Sequence, residues 1–504
     1  MAKKEILKMK KGAVSTEHPS YTRQIHSWKR VRDCLEGEDT IKIQEETYLP
    51  RPAGMSGEYA EAYTAYIERA HFPLITSYAL SGALGIVIVK LPEFNVPKKL
   101  EYILKNATKD GRSIQQLFLD IIIEIFQTGR VPLLVDIIPN KNECRFVQYK
   151  AEELINWKTS VVESEKSITL AVLHEDVDAT DDVFSHDKDD AYRVLTLDED
   201  GNYITTLYDE DSELREFRKV PQLRGKKLKR IPLFLAGSIN NSFDMQPIPL
   251  IAVANCSIQI YRKEADLANS EFLSCNPTLV LTGASNDDDL PNVVGSSVMM
   301  VIPGEQARMY YTKTDTAALT HVSNHIKDLY EEAIRHGVAI LDARKGVEAA
   351  EALRIRQSTQ SASIYSIYLS AVSAVRQGLK LMCEWEGLNS DEVIIDAPTA
   401  LTQGIPDPSV LKEIILGFGD HGVVPLSVVH RYLVSTGLMD QTIGYEEYLE
   451  LLKKDKVFRT YIETDIVEEE VTKDDKVKGD VVKGKKGDGT IKVSKEEIGI
   501  EDKI

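Results

Sequence analysis

Residues 251–386 constrain the possible folds of this chain most. Their pattern predicts two helices around an irregular insertion, followed by one very long helix. Apolar residues recur at helical spacing over about 251–274. Pro277 ends that helix, since proline lacks the backbone amide that the next turn needs. A second helix is predicted at about 317–335. Two helices joined by a compact insertion predict an antiparallel hairpin with a tip.

The insertion and the segment after the hairpin have different characters. Short β-like runs at 278–281, 297–302 and 308–311 are separated by glycine and proline, which is typical of strands and turns. After a charged loop, helix-forming residues continue from 347 to 386 without a proline. About forty helical residues would span roughly 60 Å, which is longer than most helices of globular proteins.

Several short segments in this region resemble tailed-bacteriophage portal proteins. Residues 255–266 (Asn-Cys-Ser-Ile-Gln-Ile-Tyr-Arg-Lys-Glu-Ala-Asp) and 276–283 (Asn-Pro-Thr-Leu-Val-Leu-Thr-Gly) resemble the family's entry into its helical stem. Residues 346–353 (Gly-Val-Glu-Ala-Ala-Glu-Ala-Leu) and the helix that ends in 383–387 (Cys-Glu-Trp-Glu-Gly) are similar to its loop and crossing helix. Upstream landmarks agree: 48–54 (Tyr-Leu-Pro-Arg-Pro-Ala-Gly), 144–149 (Cys-Arg-Phe-Val-Gln-Tyr) and 155–157 (Ile-Asn-Trp).

The resemblance implies an α+β fold. An α/β wing would carry an antiparallel helical stem hairpin with a small β-containing clip, a long crossing helix and a helical C-terminal crown. The implied boundaries are a mobile N-terminus 1–20, wing 21–250 (helices, then an acidic β region), first stem helix 251–276, clip 277–314, second stem helix 315–337, channel loop 338–346, long crossing helix 347–387, crown-like helical region 388–460 and charged tail 461–504. Composition alone predicts that the tail is disordered, because it has too few apolar residues to offset its ordering entropy.

Local patterns in the wing and crown predict further elements. Helices are expected at 57–71, 74–80 and 113–128, a buried strand at 131–136, and a hairpin of 192–197 with 203–208 around a turn at 198–201. Shorter helices are expected at 408–417, 425–435 and 444–454, two of them opened by proline.

The resemblance also implies a function. It predicts a homo-oligomeric ring, typically a dodecamer in this family, at a capsid vertex, through which double-stranded DNA is packaged and ejected and to which the tail is joined. The expected partners are other copies of the chain, double-stranded DNA in transit, the major capsid protein, a terminase and a head–tail adaptor. The expected location is the virion, after assembly in the host cytoplasm, with no membrane partner.

The loop before the long helix supplies the predicted DNA contact, formed by Asp342, Arg344, Lys345 and Glu348. Arg344 and Lys345 are expected to approach phosphates; the alternative is that they are simply exposed to solvent. Because cations before a helix start oppose its dipole, Asp342 or Glu348 should offset them. Asp287, Asp288 and Asp289 are expected at an exposed tip of the clip, where a partner would contact them.

The net charge of the chain is −18, from 79 acidic and 61 basic residues. A protein that grips DNA statically usually shows a basic face. An acidic chain suits passage of DNA, since like charge prevents adhesion to the backbone, although a plainly acidic surface explains the same balance. The basic segment 224–230 is expected to pair with an acidic loop of a neighbour or, alternatively, to contact phosphate.

The sequence lacks the motifs of common enzymes. There is no Walker loop, dinucleotide fingerprint, nucleophile elbow or zinc spacing. His321 and His325 share a helix face without a third ligand, and three consecutive aspartates cannot all point at one ion. The acidic run 175–190 is predicted to be a solvated loop; as a calcium site it lacks the spacing of an EF-hand. We therefore expect no catalysis, no metal and no cofactor; the alternative, an acidic-cluster metallohydrolase, would need metal-dependent activity.

Two further observations concern the compartment. The five cysteines are far apart and odd in number, which favours a reducing environment with buried or inert thiols. The first residues have no apolar run that would make a signal peptide. Residues 72–89 lack charge and leave open a membrane-associated or scaffolding protein anchored there, although a short helix followed by a buried strand at 85–89 is the preferred interpretation.

Overall fold

The computed structural model describes residues 13–55, 60–138, 143–162, 165–179, 184, 186–275, 279–282, 308–311, 316–337, 350–398, 426–435, 439 and 443–454. The chain divides into two compact units, residues 1–402 and 403–504. Helices and antiparallel strands are both abundant in the first unit, so the predicted α+β class is confirmed.

The α-helices of the first unit are interspersed with the strands along the chain. They are α1 Pro19–Glu36, α2 Glu38–Ile43, α3 Ala60–Arg69, α4 Ile75–Ile88, α5 Tyr102–Lys105, α6 Ile114–Thr128, α7 Ile251–Cys275, α8 Thr316–Gly337 and α9 Ala350–Glu386. Within the described part of residues 403–504, the helices are α10 Leu426–Ser435 and α11 Tyr445–Lys454.

The strands are β1 Glu93–Asn95, β2 Arg130–Ile138, β3 Glu143–Gln148, β4 Leu154–Val162, β5 Glu165–Asp178, β6 Lys188–Leu197, β7 Tyr203–Asp209, β8 Leu214–Lys219, β9 Gln222–Leu223, β10 Lys226–Lys227, β11 Leu233–Gly237, β12 Leu279–Thr282, β13 Arg308–Tyr311 and β14 Ile394–Asp396. A five-stranded meander runs in the order β4-β5-β6-β7-β8, and a three-stranded sheet in the order β11-β2-β3. Among the described residues there are also three two-stranded pairs: β1 with β14, β9 with β10, and β12 with β13.

The sequence signals at α6 and in the β6–β7 hairpin act as predicted. The Ser113 hydroxyl accepts the Gln116 amide at 3.2 Å while the Gln116 side chain accepts the Ser113 amide, which caps α6. Gly129 ends the helix at φ +80, where a Cβ would lie 2.6 Å from the Pro247 carbonyl oxygen. In the hairpin, Asp198 accepts the Asn202 amide at 2.7 Å and fixes the turn. Both elements are therefore set by local chemistry.

The long helix α9 crosses the three-stranded sheet and α6. It has no Cβ at Gly378, and one built there would overlap the ring of Phe146, which is fully buried on β3. The Tyr368 hydroxyl donates to the Lys90 carbonyl at 3.1 Å, and its ring meets Phe118 edge to face. The C-terminal half of the predicted long helix therefore covers the core.

The first helix is anchored by buried polar groups. The Trp28 indole donates to the Thr128 carbonyl at 2.8 Å. Beside it, Arg32 forms ion pairs with Glu152 and Glu124, each at 2.5 Å, and this network is half-buried. These contacts join α1 to the end of α6 and to the chain before β4.

The structure corrects three boundaries. Residues 13–20 are not a mobile terminus, because Val14 is buried and His18 stacks on Trp157 with ring centroids 4.0 Å apart. The predicted strand at 85–89 is wrong, since α4 continues to Ile88. The crown boundary at 388 is too early: β14 pairs with β1, and the second unit starts at Gln403. In each case a contact distant in sequence, absent from local patterning, decides the boundary.

Among the helices of the described ranges, none is both long enough and apolar enough to cross a membrane. Over residues 72–89, α4 buries Thr76, Ala79, Ala83 and Val87 against its neighbours. Within the second unit, the His430 ring lies against Tyr445 and Tyr448, and its Nε2 is 2.9 Å from the Ile443 carbonyl oxygen. The predicted helix at 408–417 and the tail 461–504 lie outside the described residues.

Two helical glycines provide a test of the crossing. Gly378→Ala should lower the free energy of unfolding by about 1–3 kcal/mol, because the new methyl group meets a buried ring that cannot move freely. Gly85→Ala is the matched control, since Gly85 faces open space on α4 and the change should stabilise by about 0.5–1 kcal/mol. Chemical denaturation measures both variants. Equal stabilisation by the two substitutions would contradict the crossing.

Candidate functional site: the helical hairpin and the helices at its base

The N-terminal half of α7 is embedded in the helices that precede the sheets. Ser257 lies 3.1 Å from Thr76 of α4 through their hydroxyl oxygens, and Tyr261 meets Phe72 edge to face. Beyond Asp266, the side chains of α7 are half-buried or exposed. The helix therefore leaves the packed body along its length, as a projecting stem would.

The second helix of the hairpin returns along the first. Ile260 near the base of α7 packs with Ile326 and Leu329, while Leu267 further along α7 and Val322 belong to the same cluster. This order, together with the antiparallel strands β12 and β13 between the helices, makes the hairpin antiparallel. Only one stripe of α8 is buried, and most of its other described side chains are exposed.

Apolar side chains stay exposed on both helices of the hairpin. Phe272 and Leu273 on α7 are 42% and 54% exposed, and Ile334 on α8 is 37% exposed. The Arg69 guanidinium lies 3.7 Å above the Phe272 ring and covers part of it. Because both helices carry such residues outside their mutual contact, the hairpin has apolar surface available to another protein surface.

The sequence-predicted contact residues lie outside the described residues. Asp287, Asp288 and Asp289 follow β12, and Asp342, Arg344, Lys345 and Glu348 fall between α8 and α9. Their flanks are described: Leu279 of β12 pairs with Tyr311 of β13, α8 ends at Gly337 and α9 begins at Ala350. The assignments of these seven residues remain predictions.

The long helix is tied to the sheet edge through Ser370. Its hydroxyl accepts the Gly237 amide at 3.0 Å and donates to the Asn241 side chain at 2.5 Å. The Asn241 amide returns to the Ser370 carbonyl at 3.1 Å. This closed set of bonds fixes α9 against the end of β11.

The basic segment 224–230 pairs within its own chain, which corrects the predicted neighbour contact. Arg224 lies 3.3 Å from Glu386 and Arg230 lies 2.7 Å from Glu384, both at the end of α9. The Trp385 indole donates to the Lys226 carbonyl at 2.9 Å. The segment is therefore a clamp on α9, and neither arginine needs a phosphate or a second subunit as partner.

The acidic run is largely not a loop, because its ends are the paired strands β5 and β6. Glu175 binds Arg193 through two contacts of 2.6 and 2.8 Å. His174, Asp176 and Asp190 have ligand atoms within 4.8 Å of one another, the geometry of a weak cation site. His174 already contacts Asp190 at 2.7 Å, and Lys188 lies 3.5 Å from Asp176. Ion pairing within the hairpin thus accounts for these groups.

The thiols are mostly buried, as predicted. Burial raises the pKa of Cys34 and of Cys144 to about 12, so both stay protonated at neutral pH. Cys256 and Cys383 are also buried, and the pKa of each is raised by burial. Cys275, at the end of α7, is exposed and departs from the prediction.

One polar cleft at the base of the hairpin was missed by the sequence reasoning. His26, Lys29 and Arg30 of α1 face Asn255, Gln259 and Arg262 of α7 across it. The available signal was the spacing of the α1 residues, since positions three and four apart share a helix face.

A family described as a domain of unknown function (DUF4055) matches residues 249–386, which contain the hairpin and α9. The chain is similar, at 10% identity and a TM-score of 0.37, to a chain in "Virion of native gene transfer agent (GTA) particle", covering 77% of this chain and 96% of that one. It is also similar to chains in "Neck of empty GTA particle computed with C6 symmetry" (12%, TM-score 0.37, covering 74% and 92%). A third is in "Neck of native GTA particle computed with C12 symmetry" (11%, TM-score 0.34, covering 70% and 86%). No curated protein matches the sequence.

The clamp on α9 can be tested with its two arginines. Arg224→Ala should lower the free energy of unfolding by about 1–2 kcal/mol, because the Glu386 side chain is only 2% exposed and loses its partner. Arg230→Ala is the control and should cost less than about 0.5 kcal/mol, since both members of its pair are half exposed. Thermal or denaturant unfolding decides between them. Equal losses would show that burial of Glu386 does not matter.

Proposed function

We propose that this chain is a structural component of a phage-like particle, and specifically a portal subunit that forms a ring at a capsid vertex. The observation that carries the proposal is the hairpin. It leaves a packed body with apolar side chains exposed and is followed by a helix that crosses that body. The portal resemblance of residues 255–266, 276–283 and 346–353 supports the same assignment.

A second copy of the chain is the proposed partner of the exposed apolar surface. Phe272 and Leu273 lie on one helix and Ile334 on the other, so the two sides of the hairpin can meet different neighbours. An interface of unlike surfaces between identical subunits repeats until it closes, which produces a ring. The projecting helices would then line up side by side around the ring axis.

The ring is proposed to conduct double-stranded DNA during packaging and ejection. The segment 338–346 supplies the channel loop, with Arg344 and Lys345 making transient phosphate contacts that salt weakens. The proposed partners are the major capsid protein, a terminase and a head–tail adaptor, the last near Asp287, Asp288 and Asp289. The chain is proposed to lack catalysis of its own, with the energy of packaging supplied by another protein, and to act in the virion after assembly in the host cytoplasm.

Ring formation is the first test. The purified chain should form closed rings in electron micrographs and a matching mass by light scattering. Leu273→Glu should break the ring into smaller species, because the charge would be buried at the contact without a partner. A parent protein that stays monomeric at high concentration would contradict the proposal.

Leu214→Glu is the matched control for Leu273→Glu. Leu214 is 44% exposed at the start of β8, away from the hairpin, and should tolerate the charge without loss of the ring. Circular dichroism should show both variants folded. If the Leu273→Glu protein assembles as the parent does, the distal part of α7 is not a subunit contact.

The channel loop is the second test. Arg344→Glu combined with Lys345→Glu should spare the ring but reduce DNA packaging or retention, because it reverses the charge presented to phosphates. Substitutions of surface charge away from a core usually change stability by less than about 0.5 kcal/mol, so unfolding should hardly shift. Packaging equal to that of the parent would remove these two residues from the DNA path.

A further inference from the structure

The basic cleft between α1 and α7 has a volume of about 690 Å³. We define it by His26, Lys29, Arg30, Asn255, Gln259 and Arg262. Of the described residues that line it, none is acidic. This is unexpected in a chain of net charge −18, in which 79 acidic residues outnumber 61 basic ones.

The two arginines are positioned by neutral acceptors. Arg30 donates from Nη1 to the Asn255 side chain at 2.9 Å, and Arg262 donates from Nε to the Tyr48 carbonyl at 2.6 Å. Both side chains are half-buried. These bonds orient each guanidinium and use one of its donors, so further N–H groups stay available to a ligand.

The third cation also has a neutral partner. Lys29 lies 3.5 Å from the Gln44 side chain, at the limit of a hydrogen bond. Within the described ranges, no ion pair to a carboxylate forms at Lys29, Arg30 or Arg262. Asp33, one turn further along α1, is buried and accepts the Tyr48 hydroxyl at 2.6 Å.

Arginines elsewhere in the same body show the contrast. Arg32 pairs with Glu124 and Glu152, and Arg193 binds Glu175 through two contacts. Like charges that converge without a counter-charge repel one another, most strongly where they are partly shielded from water. An anion in the basic cleft would remove that repulsion and satisfy the unused donors.

The neighbouring cavity limits the shape of the anion. It has a volume of about 370 Å³, shares Gln259 and Arg262 with the basic cleft, and contains Asp266. The Asp266 carboxylate accepts the Tyr66 hydroxyl at 2.7 Å and stays within 3.6 Å of Lys263. An extended acidic peptide along α7 would meet this carboxylate, whereas a compact oxyanion confined to the basic cleft would not.

We propose that the basic cleft is a binding site for a phosphate group, held by Lys29, Arg30 and Arg262. Guanidinium groups suit this ligand, because paired N–H donors match the geometry of phosphate oxygens. The phosphate belongs either to a DNA backbone or to a free phosphate or small phosphorylated molecule. The site goes beyond the proposed portal function and does not require that the chain form rings.

Calorimetric titration of the full chain with inorganic phosphate, in a buffer of low salt without other phosphate, tests the site. The parent should bind, and Arg30→Gln combined with Arg262→Gln should weaken binding by about tenfold or more, since charge-assisted hydrogen bonds are lost. Lys98→Gln combined with Lys99→Gln is the control. It removes the same charge at two exposed residues outside the cleft and should leave the affinity unchanged.

A competition experiment identifies the source of the phosphate. If a short DNA duplex displaces inorganic phosphate from the parent, the ligand is a backbone phosphate; if it does not, the ligand is a free phosphate or a small phosphorylated molecule. A hexaglutamate peptide is titrated in parallel to test whether the basic cleft binds an acidic peptide instead. The proposal is overturned if the parent binds no phosphate, if the double-arginine variant binds like the parent, or if the peptide binds where phosphate does not.

Folding is checked separately by circular dichroism. Should the double-arginine variant fail to fold, Lys29→Gln replaces it, because Lys29 is exposed and has only the 3.5 Å contact with Gln44. This variant should weaken phosphate binding severalfold, and unchanged affinity would overturn the site. Since rings and phosphate binding are measured independently, either proposal can fail alone.

Discussion

A buried guanidinium fixes the first helix against the sheets, and the position of the hairpin follows from it. Arg130 is fully buried, and its guanidinium carbon lies 5.2 Å from the Trp28 ring centroid and 4.4 Å from that of Trp157. It donates to the Leu154 carbonyl at 3.0 Å. Burial lowers the pKa of Arg130 to about 9, so the group is still charged at neutral pH. The two aromatic faces attract the buried cation, in addition to the charge of Glu152.

This anchoring passes to the hairpin through α1. Trp28 holds α1 to the end of α6, while Arg30 and Cys34, on the neighbouring turns, contact Asn255 and Ala254 of α7. A shift of α1 would therefore move the base of the hairpin. After the hairpin in the chain, α9 is fixed by the close approach of Gly378 to Phe146 and by the hydrogen bonds of Ser370. The helices on either side of residues 338–349, α8 and α9, therefore both pack on other elements.

Local signals explain which elements the sequence predicts. Ser113 and Gly129 bracket α6, Asp198 fixes the β6–β7 turn, and Pro277 follows the end of α7. Each acts through its own backbone or that of a residue a few positions away, so a pattern of neighbouring residues contains the necessary information. The hairpin and α9 extend this logic over many turns of sustained helical periodicity.

The wrong predictions from the sequence have a different origin, because contacts between residues distant in the chain decide these features. Ile86–Val89 are β-branched and follow Gly85, which favours a strand locally, yet they continue α4 because Val87 and the turns before it pack on other helices. The pairing of β1 with β14 joins segments about three hundred residues apart, and the partner of Arg224 lies on α9. The basic cleft likewise forms only when α1 meets α7. No local pattern specifies such contacts, so they had to come from the folded chain.

The distribution of charge is compatible with the proposed role beside DNA. Several cations in the body form internal ion pairs: Arg32 with Glu124, Arg193 with Glu175, and Arg224 with Glu386. The net charge of the chain stays negative, so a phosphate backbone gains little free energy by adhering to its surface. Attraction is then strongest where several cations lie together without a carboxylate. Among the described residues the basic cleft is such a place, and because it lies at the foot of the hairpin, an anion held there would bridge α1 and α7 and stiffen the base from which the hairpin projects.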